Sequence, residues 1–417
     1  MATYGKILLI AMPAFLILVL AEKWYAWHKG YDNVRTNDMI SSLLSGVTNV
    51  TKDVLGLSIV IISYGWMVNH WALMHIKETW LTYIIAFMVL DFAGYCVHRI
   101  QHEFNFFWNG HIIHHSSEEF NLACALRQSI SSIANVFFVF LLPAALLGVP
   151  DTVIAIVAPL HLFAQFWYHT IHINKMGFLE KIIVTPSHHR VHHAINPEYI
   201  DKNFSQIFIL WDKMFGTFQA ELPEKPPVYG ITRPAQTWNP IKINFQHLWL
   251  LMKDAWRTKN WKDKFRLWLM PTGWRPPDVA AKYPIQKIKD IYCFKKYDTV
   301  LPFSLRVWIW IQLIVLLLFI SYLFGNIAEI GAPSMFYYGF FVFAYVYALA
   351  ELMDNNSYAW AWETLKLITG VFIIGFWGNW FGSDLVFNYI IIFYLVISFI
   401  VTYYFSRKFS INLSPQS

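Results

Sequence analysis

Charged residues and cysteines are both scarce in this sequence. Asp, Glu, Lys and Arg make up 14% of its 417 residues, whereas 57% are hydrophobic and 18% are aromatic. This balance excludes an ordinary water-soluble globular protein. The only cysteines are Cys96, Cys124 and Cys293, and no CxxC pair occurs. A disulfide framework and a cysteine-ligated metal are therefore excluded, and we expect three buried thiols.

Apolar runs recur along the chain on both sides of one long stretch without a clear span, Met176–Pro302. A helical membrane span needs about 20 mostly apolar residues. Two apolar arms, Ile130–Val149 and Thr152–Tyr168, predict a helical hairpin that crosses the membrane or dips into it. The predicted fold class is an all-α, polytopic integral membrane protein. The predicted spans are Ile7–Ala21, Val54–Met74, Trp80–Val97, Leu305–Phe324, Ser334–Leu352, Leu365–Phe381 and Leu385–Phe405.

Histidine is concentrated in one part of the chain. Twelve of the sixteen histidines lie between residues 91 and 193, and eight of them form the boxes HRIQH, HIIHH and HRVHH. Helical positions i, i+3 and i+4 share one face, so each box can direct its imidazoles at one point. Neutral imidazole suits iron, zinc and copper, and eight ligands fit two ions better than one. The boxed histidines are His98, His102, His111, His114, His115, His189, His192 and His193.

Four further histidines lie near the boxes. His169 stands at the end of the second hairpin arm, and His188 directly precedes the third box. We include both as candidate metal ligands. His161 and His172 can equally be ligands or hydrogen-bonded structural histidines, and the sequence leaves both interpretations open.

Asp91 lies inside a predicted span, seven residues before His98 and therefore on the same helical face. A carboxylate within a span is energetically costly and is usually functional. We consider it a candidate site residue that supports a ligating histidine. Packing against a neighbouring polar side chain is the equal alternative.

The segment from Glu221 to Asp298 is rich in basic residues and tryptophan. It has fifteen Lys or Arg against seven acidic residues, and Trp249, Trp256 and Trp261 are interleaved with them. This pattern predicts an interfacial layer at the membrane, so nucleic acid is not expected as a partner. Docking of an acidic electron donor stays open. We divide the chain into N-terminal spans (1–90), a histidine-box core (91–220), the basic segment (221–304) and C-terminal spans (305–417).

Alternating crossings place the basic loops and all three boxes on one side of the membrane. The positive-inside rule makes that side cytoplasmic, in the cytoplasmic membrane of a bacterium or the endoplasmic reticulum of a eukaryote. A metal carrier would be expected to hold its ligands near the bilayer midplane instead. A zinc hydrolase with HExxH is disfavoured, because Phe106 stands where the second histidine would follow His102 and Glu103.

The boxes resemble a known superfamily. HRIQHE, HIIHHSSEEFN, ALRQS, TPSHHRVHH and NPEYIDKNF are similar to the fatty acid hydroxylase/sterol desaturase superfamily, and most like its alkylglycerol monooxygenase branch. The resemblance is strongest from Asp91 to Phe218. It implies a membrane enzyme whose boxed histidines hold two irons. The enzyme would activate O2 and insert one oxygen atom into a lipid C–H bond. Glu103 matches an acidic residue in or near the family's site.

In that branch the oxidised carbon is next to the ether oxygen, and the product breaks down to an aldehyde and glycerol. The resemblance implies tetrahydrobiopterin as the reductant, with a small redox protein as the alternative electron donor. A fatty acid or sterol hydroxylase or desaturase is the nearest alternative function. A zinc hydrolase and a metal carrier are remoter ones.

Overall fold

The computed structural model describes residues 2–57, 63–132 and 137–413. Within these ranges the regular structure is helical, and extended backbone pairs only in isolated bridges such as that between Ile183 and Phe208. The prediction of an all-α fold is confirmed. The chain forms two compact units. One contains Met1–Leu57, Gln236–Lys242 and Tyr297–Ser417, and the other contains Ser58–Ala235 and Ile243–Lys296.

The helices vary in length from one turn to more than seven. In chain order they are α1 (Ala2–Lys29), α2 (Thr36–Val54), α3 (Tyr64–Trp71), α4 (Trp80–Glu103), α5 (Asn105–Trp108), α6 (Ile112–His115), α7 (Phe137–Phe140), α8 (Leu142–Leu146), α9 (Asp151–Phe163), α10 (Pro186–His192), α11 (Leu210–Phe215), α12 (Pro240–Arg257), α13 (Trp261–Arg266), α14 (Pro277–Lys282), α15 (Phe303–Ile330), α16 (Ser334–Met353), α17 (Ala359–Trp377) and α18 (Leu385–Leu413).

Six of these helices are long and apolar enough to cross a bilayer, and they coincide with six of the seven predicted spans. The chain is therefore a multi-pass membrane protein. The candidate spans are Gly5–Lys29, Trp80–Glu103, Phe303–Ile330, Ser334–Met353, Ala359–Trp377 and Leu385–Phe409.

The remaining predicted span, Val54–Met74, includes residues 58–62, which lie outside the described residues. On either side of them, α2 ends at Val54, and α3 has eight residues. At 1.5 Å per residue, α3 is about 12 Å long, which is too short to cross a bilayer.

The predicted hairpin 130–168 also contains short helices. Residues 133–136 lie outside the described residues. The second arm is α9, whose 13 residues span about 20 Å against a hydrocarbon core of about 30 Å. This arm fits a dip into the membrane better than a crossing. Its turn is tied to the segment before α4, since the backbone N–H of Leu73 donates to the carbonyl of Leu146 at 2.9 Å.

Small residues let α9 pack closely on α4. Ala86 and Ala93 of α4 are fully buried against Val153 and Val157 of α9, in one apolar cluster. This packing fixes the last turns of α4, which carry two of the boxed histidines.

The cysteines differ in environment. All three are free thiols: Cys124 is buried, Cys96 is half-buried, and Cys293 is exposed. The expectation of three buried thiols is therefore correct for Cys124 alone. Cys96 is only half-buried, and Cys293 lies in a polar stretch beyond α14.

The unit that contains α15 to α18 holds a buried charge pair. Lys366 and Glu363 are both 0% exposed, and the Lys366 Nζ lies 2.6 Å from a Glu363 carboxylate oxygen. The same ammonium donates to the Gln312 side-chain oxygen at 3.0 Å and to the Ser398 hydroxyl at 2.9 Å. Charges within membrane spans are costly, so the pair depends on these partners.

Candidate metal centre

Nine histidines converge in two groups. Within each group the candidate ligand atoms all lie within 4.8 Å of one another. The second and third boxes are each divided between the groups, so neither group is built from a single box. The first group is His98, His102, His111, His115 and His192, and the second is His114, His169, His189 and His193.

Short helices position the boxes. The first box lies on the last turns of α4, the second on α6 and the residue before it, and the third on α10 and the residue after it. Pro186 occupies the first turn of α10, where its missing N–H costs nothing. Thr185 and the His188 side chain close a capping box at the same end, which sets where this helix starts.

Backbone carbonyls fix the orientation of several of these rings. A neutral imidazole whose Nδ1–H donates to a carbonyl presents an unprotonated Nε2, which is the usual arrangement of a metal-bound histidine. The Nδ1 atoms of His98, His114, His169 and His192 lie 2.7, 3.3, 3.0 and 2.9 Å from the carbonyl oxygens of Phe204, Arg127, Gln165 and Lys202, respectively.

The Nε2 atoms then face one another at short distances. The separation is 2.9 Å between His98 and His111, and 3.1 Å between His102 and His115. In the second group, His189 lies 2.9 Å from His169 and 3.0 Å from His193. Two metal–nitrogen bonds of about 2.1 Å at a right angle place their nitrogens about 3 Å apart.

The donor set fits a metal ion in each group. Where the ring proton of both partners is on Nδ1, the facing Nε2 lone pairs repel unless a cation lies between them. The Nε2 of His192 is buried and lacks a hydrogen-bond partner, as expected of a nitrogen reserved for a metal.

Burial keeps these imidazoles neutral. It lowers the pKa of His169 to about 4. Burial, reinforced by neighbouring imidazoles, holds the pKa of His115, His189 and His193 well below the usual value. A neutral ring keeps the lone pair that coordinates a metal, so the rings are competent ligands at physiological pH.

Asp91 belongs to neither histidine group and instead accepts hydrogen bonds from neighbouring helices and a loop. Its carboxylate is fully buried and accepts hydrogen bonds from His161 Nε2 at 2.8 Å and Trp211 Nε1 at 2.8 Å. It also accepts from the backbone N–H groups of Ile207 and Phe208 at 2.9 and 3.1 Å. These bonds hold the segment that follows Phe204, whose carbonyl orients His98. Asp91 therefore contacts the loop whose Phe204 carbonyl orients His98.

Asp91→Asn should destabilise the protein by about 2 kcal/mol, because an amide cannot accept from all four donors and leaves buried N–H groups unpaired. The metal content of the folded fraction should stay unchanged. Thermal unfolding together with metal analysis of the monodisperse protein would measure both. Loss of metal without loss of stability would instead make Asp91 a direct ligand.

The other candidate residues lie outside the two groups. His188 takes part in the α10 capping box and packs its ring against Phe218. Glu103 is about one-third exposed and pairs with Arg99 at 2.7 Å. His161 bonds to Asp91, and His172 is only partly buried. Among the described residues, none of these four belongs to a convergent set of possible ligands.

A cavity of about 310 Å³ opens beside the first group. His102, His115, His192 and His193 form one wall. Other walls include residues 230–233 and 272–275, together with Gln246, His247, Leu250, Leu251, Ile285 and Lys287. The sequence did not predict this role for the basic segment. The available signal was the helical spacing of His247, Leu250 and Leu251, which places these three on one face of α12.

The cavity combines an apolar lining with basic groups. Ile231 and Leu251 line it together with Arg233 and Arg275. Arg275 already makes a two-pronged pair with the buried Asp254, at 2.5 and 2.8 Å. Burial and the neighbouring Arg275 lower the pKa of Arg233. A ligand with an acceptor group would stabilise the Arg233 charge.

Comparison with known proteins defines the class. Residues 83–217 match the model of the fatty acid hydroxylase family. With its membrane spans and two histidine groups, this protein is a membrane-bound monooxygenase, an oxidoreductase that takes a lipid substrate, O2 and a reductant. No solved structure matches the chain.

Curated relatives identify the family more closely. The alkylglycerol monooxygenase of Homo sapiens is 34% identical over 371 residues, which cover 86% of this chain and 80% of the human protein. That of Xenopus tropicalis is 39% identical over 63% of this chain and 58% of its own length. An ornithine lipid hydroxylase of Rhizobium tropici is 28% identical over 36% of this chain and 45% of its own length. The chain belongs to the alkylglycerol monooxygenase family.

Proposed function

We propose that this enzyme hydroxylates the carbon next to the ether oxygen of alkylglycerols, using two irons held by the nine grouped histidines. One atom of O2 enters the C–H bond and the other leaves as water, with two electrons and two protons from a reductant. The hemiacetal product breaks down to an aldehyde and glycerol. The observation that carries the proposal is the convergence of nine histidine rings in two groups beside a partly apolar cavity.

Iron suits this donor set and this chemistry better than zinc. Oxidation of an unactivated C–H bond needs a metal that changes valence, and bound iron would supply O2 activation. The protein's own contribution is orientation: carbonyls hold the rings, and burial keeps water from them. Ile112, Ile231 and Leu250 offer an apolar surface for an alkyl chain, and Gln246 and Arg233 offer donors for hydroxyl groups.

We further propose that the reductant is tetrahydrobiopterin and that the site faces the cytoplasm. The cavity has room for a small molecule next to His102 and His115 and lines it with donors such as Arg233. The cytoplasmic orientation is supported by the basic residues between Glu221 and Asp298, which favour the cytoplasmic face.

The purified protein should contain two irons per chain and consume O2 when an alkylglycerol and a reduced pterin are both added. A monoacylglycerol of equal chain length is the matched control, because its ester has no ether carbon to hydroxylate. Metal analysis and an oxygen electrode provide the two measurements.

Each outcome discriminates among the candidate functions. O2 uptake with the alkylglycerol and reduced pterin, and none with the monoacylglycerol and the same pterin, supports the proposal. Two irons with uptake on a fatty acid or sterol instead would favour a hydroxylase or desaturase of the same superfamily. Stoichiometric zinc without O2 consumption would exclude an oxygenase.

A further inference from the structure

Helix α12 has one face that lines the cavity and an opposite face that is exposed. His247, Leu250 and Leu251 of α12 line the cavity, and Asp254 is fully buried. The opposite face of α12 and the adjoining α13 carry large apolar side chains that are exposed by 48% to 87%. This surface, the outer aromatic face, consists of Trp249, Met252, Trp256, Trp261 and Phe265.

Basic side chains are interleaved with the outer aromatic face. Lys253 Nζ lies 5.1 Å from the Trp249 ring centroid, and Lys264 Nζ lies 5.6 Å from that of Trp261. Arg257, Lys259 and Lys262 are exposed beside them. A contiguous exposed apolar surface is uncommon unless it binds something. Tryptophan with Lys and Arg on one helical surface is the composition of a membrane interface.

The backbone places this face at the depth where α4 leaves the membrane. The segment directly after α13 is hydrogen-bonded to the end of the candidate span Trp80–Glu103. Phe106 N donates to Trp268 O at 2.8 Å, and Asn105 N donates to Met270 O at 3.0 Å. Thr272 N donates to Glu103 O at 3.1 Å. The C-terminal end of a span lies in the headgroup region, so α13 is tied to that level.

We propose that the outer aromatic face lies in the headgroup layer of the bilayer and binds anionic phospholipids through Lys259 and Lys262. Charge complementarity selects this occupant, since the exposed cations attract anionic headgroups and the aromatic rings occupy the interface. α12 then separates the lipid on its outer face from the cavity beside the histidine groups on its inner face. A lipid substrate would have only this helix between the membrane surface and the site.

A fluorescent probe at Trp256→Cys tests the location. The probe is attached in a Cys293→Ser variant, which lacks the exposed thiol. The Cys293→Ser variant that keeps Trp256 is labelled in parallel, and its signal gives the labelling of Cys96 and Cys124. The full-length protein is placed in nanodiscs of phosphatidylcholine and phosphatidylglycerol that contain a headgroup-level nitroxide lipid. The probe should be blue-shifted and quenched. A probe at Glu224→Cys, exposed in the same unit, should be neither.

Charge reversal tests the lipid specificity. Lys259→Glu with Lys262→Glu should weaken the quenching of the probe at residue 256 and abolish its dependence on phosphatidylglycerol. Reversal of two exposed lysines elsewhere in the same unit, Lys282→Glu with Lys289→Glu, should leave both unchanged. A water-exposed probe at residue 256 would overturn the proposal. So would a probe shielded only when an acidic redox protein is added. Neither readout needs catalysis, so the result is independent of the proposed function.

Discussion

His192→Ala is expected to weaken iron binding in the group of five histidines and to reduce activity at least about 100-fold. Disturbing the support of a ligand typically costs 10–100-fold in metal affinity or activity, and loss of the ligand itself should cost more. The Nε2 of His192 is buried and lacks a hydrogen-bond partner, and it belongs to the group of five histidines. Removing it leaves four histidines in that group and does not change the four of the second group. Metal analysis and single-turnover O2 uptake measure the two effects.

His188→Ala is the matched control for this substitution. His188 is buried on the same helix, yet it lies outside both groups and helps to cap α10. Its removal should cost about 1 kcal/mol of stability, as loss of a helix cap does, and should leave two irons bound. If His188→Ala loses an iron while His192→Ala keeps both, the assignment of ligands to the two groups is wrong.

Lys366→Met should lower the free energy of unfolding by about 3–5 kcal/mol, because it leaves the Glu363 carboxylate buried without its cation. Glu363 is fully enclosed in the unit formed by α15 to α18, so no solvent can replace the lost partner. Gln312 and Ser398 cannot neutralise a carboxylate. Unfolding in mixed micelles and the yield of monodisperse protein would measure the loss.

A second substitution distinguishes the buried charge from lost packing. Lys366→Met combined with Glu363→Leu removes both charges and should recover most of the stability, since an apolar pair of similar volume is often as stable as a buried ion pair. Equal instability of the single and double variants would show that shape, and not charge, makes Lys366 important. Iron per folded chain should be unchanged in both.

The sequence predicted much of this architecture because its strongest signals are local. Six spans could be located from apolar runs alone. The i, i+3, i+4 spacing of the boxes showed that the histidines of each box could meet. The spacing could not show how the histidines of one box are divided between the two groups. On α6 and α10 the two groups take different members of one box, such as His192 and His193, because each short helix lies between two sites.

Other features depend on contacts between distant residues, which spacing cannot reveal. His188 directly precedes the third box, but its side chain contributes to the cap of α10 and lies outside both groups. The cavity wall comes from residues 230–287, far along the chain from the boxes. Asp91 was correctly placed on the face of α4 that carries His98, but its partners near Ile207 lie more than 100 residues away.

The shortness of α6 and α10 has a consequence for the life of the enzyme in a cell. Helices of four and seven residues are not stable alone, and all three cysteines are free thiols. Metal bonds would then be the cross-links that hold these segments together. Nascent chains made during iron starvation would stay open and become substrates for proteolytic quality control. Iron supply would then control the amount of this protein through its rate of degradation, in addition to any effect on its catalytic rate.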